Sequence, residues 1–102
     1  MGYNKLVRDK IPAIIEAQGQ KAKTCILDDE AYKRALETKL DEEVTEFHKE
    51  INLEELADIL EVVYALTENI GCSKEELFAA NEKKRAERGG FQDRVFLISN
   101  EG

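Results

Sequence analysis

Leu36, Leu40, Val44, Phe47 and Ile51 recur every three or four residues, with charged and polar residues between them. That period predicts one apolar face of a helix over about 30 to 50, with Asp28 and Asp29 supplying its N-cap. The next segment has a much wider apolar arc, made by Leu53, Leu56, Ala57, Ile59, Leu60, Val62, Val63, Tyr64, Leu66 and Ile70. Asn52 caps this third helix, which runs to about 69, and Gly71 ends it. Ser73 and Glu76 form a capping box that opens a fourth helix, stopping near 88 before Gly89 and Gly90. Ahead of these, a short first helix is predicted over about 9 to 18, with Pro12 tolerated in its first turn and Gly19 closing it.

Two stretches fall outside the helical period. Residues 23–27 (Lys-Thr-Cys-Ile-Leu) and 94–98 (Arg-Val-Phe-Leu-Ile) have strand-like composition and are expected to be short strands, each a candidate partner for the other. With a single proline and six glycines, the chain is expected to be mainly α: a four-helix bundle with one or two short β-strands, in one domain over 1–102.

Charge narrows the set of partners. Twenty-two acids against fifteen Lys and Arg give a formal charge of −7 and a pI near 4.8. A nucleic-acid polymer or an anionic bilayer is repelled by such a chain, whereas a small anion remains accessible if cations bridge it to the acids. No apolar run approaches the roughly 20 residues of a membrane span, and the opening residues show no secretory pattern. Cys25 and Cys72 are far apart and form no C-x-x-C pair, which argues against a zinc site or disulfide scaffold and for a reducing cytoplasm.

The helical rotation of about 100° per residue sorts the acids. Glu54, Glu61 and Glu68 take the outer face of the third helix, as solvated acids should. Glu55 instead projects between Val62 and Leu66, with Asp58 beside it one step past the edge of the arc. On the second helix, Glu43 falls next to the apolar stripe and Glu46 one step further round, while Asp41 points away. A short Glu50-Ile51-Asn52 link makes the two helices antiparallel neighbours, so Glu43 and Glu46 are expected to approach Glu55 and Asp58. Two like charges about 4 Å apart repel by roughly 4 kcal/mol at an effective dielectric of about 20. Protons, distant rotamers or a bound cation must relieve that strain, and an all-oxygen set suits Mg²⁺ or Mn²⁺. Each acid taken singly has an ordinary explanation, Glu55 as the third helical residue of a cap and Glu42 and Glu43 as surface acids; the convergence of four is what favours a site.

The fourth helix carries Leu77 and Phe78 inward, and the same face continues as Asn81, Lys84 and Arg88, with Arg85 at its edge. Such a row either answers the acids of the preceding helices, reaches phosphates held above them, or complements the helix C-terminal dipole. The amides of the Gly89-Gly90 turn could join in contacting an anion. His48, the sole histidine, is read as a surface residue: position 45 is Thr, so the E-x-x-H motif of a di-iron site is missing.

The pattern Glu42-Glu43-x-x-Glu46 followed by Glu55-x-x-Asp58 resembles the signature of the all-α nucleoside triphosphate pyrophosphohydrolases, which include MazG-like proteins and phosphoribosyl-ATP pyrophosphohydrolases. The opening block from Tyr3 to Pro12 and the closing Lys84-x-x-x-Arg-Gly-Gly-Phe91 resemble a compact MazG-like branch described as phosphoribosyl-ATP pyrophosphohydrolase-like. Eight residues, Phe47 to Glu54, separate the acidic motifs, a shorter spacing than is usual in that superfamily, which implies an early helix end or a tight turn.

The resemblance implies a MazG-like bundle in which Glu43, Glu46, Glu55 and Asp58 bind Mg²⁺, with Glu42 as a further ligand or as a base behind the ligands. It implies cleavage of the α–β anhydride of a nucleotide to the monophosphate and pyrophosphate. Lys84 and Arg88, with Asn81 on their face, would steady the phosphates. Lys5, Arg8 and Lys10 either add positive charge to the cleft or lock the N-terminus onto the fold. The expected activity is house-cleaning of a non-standard or surplus nucleotide. The alternatives are phosphoribosyl-ATP hydrolysis in histidine synthesis, and a non-catalytic helical dimer that binds a nucleotide or a protein. The breadth of the third helix's apolar arc, together with the assembly of relatives, implies a homodimer.

Overall fold

The computed structural model describes residues 4–101 and contains four helices. They are α1 (Ile11–Ala17), α2 (Asp29–Lys49), α3 (Leu53–Asn69) and α4 (Lys74–Arg88). Tyr3 of the opening block lies outside the described residues. The caps follow the local chemistry of the sequence. Asp28 accepts from the amide of Ala31, Asn52 from that of Glu55, and Ser73 and Glu76 form a complete capping box. Pro12 sits in the first turn of α1, where its missing N–H costs nothing, and Gly19 takes the positive φ that follows the helix.

No strand forms among the described residues. Residues 23–27 and 94–98, both expected as strands, run without regular structure, and Ile26, Val95, Phe96, Leu97 and Ile98 are exposed. Propensity alone does not make a strand: its backbone groups need a ladder partner, and neither segment meets the other or any further edge.

The antiparallel pair α2–α3, closed by the tight link at Glu50–Asn52, is the body of the molecule. Leu36 and Val62 are its buried apolar side chains among the described residues. The α4 helix joins this pair only near its start, where the ring of Phe78 meets Tyr64 edge-on at 6.1 Å and the ammonium of Lys74 lies 4.5 Å over the same Tyr64 ring. From Ala79 onward every residue of α4 is exposed, so the helix leaves the bundle there. The outline is accordingly long, 62 × 31 × 22 Å, with a radius of gyration of 18.0 Å, against about 13 Å for a compact chain of this length. No helix among the described residues is long and apolar enough to cross a membrane.

Candidate metal centre

Position along α2 and α3 brings the acids together. Glu43 lies two turns beyond Leu36 and one beyond Lys39 on the face of α2 that packs against α3, and is buried with 9 % of its surface exposed. On α3, Glu55 and Asp58 share the face that leads to the buried Val62. Because the helices are antiparallel and the link is short, the end of α2 and the start of α3 sit side by side. One carboxylate oxygen each from Glu43, Glu55 and Asp58 falls within 4.8 Å of the others. Glu46 is not part of this trio. It lies further round α2, about half exposed, with its oxygen 3.8 Å from the Lys49 ammonium.

The cations that meet these acids come from two places. Lys39, within α2, places Nζ 3.2 Å from both Glu42 Oε1 and Glu43 Oε1. Burial by itself would lower the Lys39 ammonium; hydrogen bonds to Glu43 and Glu42 and their charges outweigh it and raise it. The segment before α1 supplies the other two: Arg8 Nη2 donates to Asp58 Oδ1 at 2.8 Å, and Lys5 Nζ donates to Glu42 Oε1 at 3.4 Å. Thus Lys5 and Arg8 lie against the acids and tie the chain start to the bundle, whereas Lys10 sits at the N-cap of α1 and enters no ion pair among the described residues.

These contacts separate the roles of the acids. Burial favours the protonated form of Glu42, but the hydrogen bond and charge of Lys39 and then the charge of Lys5 prevail and lower its pKa, so it stays ionised and is a weak proton acceptor. Glu55 goes the other way. Loss of solvent first, then the charges of Asp58, Glu43, Glu46 and Glu50, raise its pKa, and among the described residues no ion pair reaches it. A carboxylate that faces four other acids without a cation of its own is where a divalent ion has most to offset. The donor set, oxygen throughout, fits a hard cation such as Mg²⁺ or Mn²⁺.

Lys39 is the participant that the sequence reading passed over, although its spacing of three and four residues from Glu42 and Glu43 is the ordinary signal for helical ion pairs. Lys39→Met is expected to destabilise the fold by about 1–2 kcal/mol, because it strips the buried Glu43 of its cation while both groups keep some solvent. A lower urea midpoint with an unchanged slope is the expected reading.

The basic row of α4 lies elsewhere. Asn81, Lys84, Arg85 and Arg88 line an open concavity of about 440 Å³ with Gly89, Gly90, Phe91 and Gln92. Among the described residues no ion pair joins Lys84 or Arg88 to an acid of α2 or α3; the neighbouring pairs, Lys83 with Glu87 and Arg85 with Glu82, stay within α4. His48 is exposed, its ring 6.2 Å from that of Phe47, as read from the sequence. Comparison with protein-family models, with curated proteins and with solved structures finds no match to this chain.

Proposed function

We propose that the protein is a Mg²⁺-dependent nucleoside triphosphate pyrophosphohydrolase, releasing pyrophosphate and the nucleoside monophosphate, with a house-cleaning role on non-standard or surplus nucleotides. The observation that carries this reading is the meeting of Glu43, Glu55 and Asp58 oxygens within 4.8 Å on two antiparallel helices. The order of acidic, opening and closing blocks in the sequence supports it. The two free cysteines agree with a reducing cytoplasm as its place of work.

In this reading Glu43, Glu55 and Asp58 hold Mg²⁺, with Glu46 on the exposed rim beside them. The ion supplies charge compensation for phosphate oxygens and lowers the pKa of water. The chain's own groups do the rest. Lys39 holds Glu43 in place by an ion pair, and Glu42 is pinned by Lys39 and Lys5, so the carboxylates are placed before substrate arrives. Water adds to phosphorus as the anhydride bond breaks; the electron pair of that bond leaves with pyrophosphate, and the water's proton passes to a carboxylate. Arg8, half exposed beside Asp58, is placed to turn from that acid to a phosphate oxygen.

Pyrophosphate release measured over standard, oxidised and methylated nucleoside triphosphates, and over phosphoribosyl-ATP, tests the proposal. At least one is expected to be hydrolysed with Mg²⁺ or Mn²⁺ and none after chelation. Turnover indifferent to the metal, or absent for every substrate, would reject it.

A further inference from the structure

Arg8 and Lys5 fasten the chain start to the acidic end of the bundle. Arg8 Nη2 meets Asp58 Oδ1 at 2.8 Å and Lys5 Nζ meets Glu42 Oε1 at 3.4 Å, so residues 5–8 bridge α3 and α2 beside the trio. Leu6 and Val7, between the two cations, are half-buried. Beyond Arg8 the hold weakens. The Arg8 carbonyl accepts from the Ile11 amide at 3.0 Å and so starts α1, yet among the described residues α1 packs closely on no other helix. Residues 20–28, which lead from α1 to α2, have no regular structure, and all but Ala22 are exposed. A segment with few buried contacts and a loose linker at its far end opens locally without disturbing the helices behind it.

The acid that fastens Arg8 is one that metal binding calls on, since Asp58 belongs to the trio. A carboxylate cannot answer a guanidinium and a divalent ion at full strength together. The dication takes up the charge of the acid and repels the guanidinium at the same short range. We propose that residues 8–17 are a strap, latched by Arg8 on Asp58 in the metal-free protein and released when a divalent cation enters the cluster. Lys5 keeps its hold on Glu42, outside the trio, so the strap swings about residues 5–7 and stays attached. The proposal rests on the metal-centre part of the functional reading and requires no turnover. Linkage makes the effect reciprocal: the ion loosens the strap and loss of the latch strengthens the ion's hold, by the same factor. The Arg8 and Asp58 side chains are 53 and 40 % exposed, and exposed pairs are weak, so that factor is about 2- to 5-fold.

The test reads affinity and motion. Full-length ¹⁵N-labelled parent, Arg8→Gln and Lys10→Gln are titrated with MgCl₂, with binding followed by calorimetry and backbone motion by the ¹⁵N heteronuclear NOE. Lys10 lies on the same segment and enters no ion pair among the described residues, so its variant controls for loss of a charge. Arg8→Gln is expected to bind Mg²⁺ about 2- to 5-fold more tightly than the parent, and Lys10→Gln as the parent does. Saturating Mg²⁺ should lower the NOE of amides at 9–17 in the parent to the level that Arg8→Gln shows without metal, with those of α2 and α3 unmoved. Equal affinity in Arg8→Gln and parent, or an NOE at 9–17 indifferent to Mg²⁺, overturns the strap and leaves the metal centre standing. Binding tightened equally in Lys10→Gln overturns it too, because charge at a distance and not the latch would then set the affinity. No Mg²⁺ binding by any of the three proteins overturns strap and metal centre together. Release of the strap by Mg²⁺ in a protein that hydrolyses no nucleotide supports the strap and rejects the enzymatic reading alone.

Discussion

Glu55→Gln is expected to lower pyrophosphate release by at least about 100-fold while leaving the helices in place. The substitution keeps the shape of the side chain and its place after the Asn52 cap, which binds the backbone amide of residue 55 and not its carboxylate. It removes the charge in the trio that no cation meets among the described residues. Two readings distinguish loss of a metal ligand from loss of structure. Far-UV circular dichroism should be unchanged, and the metal-free variant should melt above the metal-free parent, because one of five converging negative charges is gone. Turnover equal to that of the parent would remove Glu55 from the site. A lower metal-free melting temperature would mean that the carboxylate holds the fold together instead of straining it.

Local chemistry was the legible part of the fold. Asp28, Asn52 and Ser73 announce the three longer helices because each cap satisfies amides two or three residues ahead and needs no distant partner. The antiparallel pairing of α2 and α3 was also readable, since a link as short as Glu50–Asn52 admits little else. The strands expected at 23–27 and 94–98 fail for the opposite reason: β structure is a relation between segments, and composition describes only one side of it. The course of α4 was hidden in the same way. Its row of Asn81, Lys84 and Arg88 is where the helical period puts it, but how far a helix stays on its neighbour depends on packing.

The site divides along the same line. Rotation about each helix axis brings Glu43, Glu55 and Asp58 to facing sides, and the structure joins these three while Glu46 stays further round. The pair Arg8–Asp58 spans 50 positions, and no periodicity links residues so far apart. Lys39 was within reach of a spacing argument and carries the larger electrostatic consequence, since it sets the ionisation of Glu42 and meets the buried Glu43.

Divalent metal and acid are expected to stabilise the protein by the same route, and therefore to compete. In the metal-free protein the pKa of Glu55 is raised above its unfolded value. A group shifted that way contributes stability that is fully present below its unfolded pKa and is lost as pH rises through the folded value. Lowering the pH from 7 toward about 5 should thus raise the metal-free melting temperature as far as Glu55 governs it. Glu42 acts with the opposite sign. Its lowered pKa gives stability present above the unfolded value and lost only as pH falls through the folded one, so its pairing with Lys39 outlasts the gain from Glu55. The metal-free curve should have a maximum on the acid side of neutrality. Mg²⁺ at about 100 times its dissociation constant adds about 2.7 kcal/mol at pH 7, or about 10–20 °C for a domain of this size. Because the ion needs its carboxylates unprotonated, that increment should shrink as pH falls and vanish in Glu55→Gln. Differential scanning fluorimetry from pH 4.5 to 8, with Mg²⁺ and with chelator, reads all three effects at once. A melting temperature that ignores Mg²⁺ throughout that range would mean that the three acids share no ion.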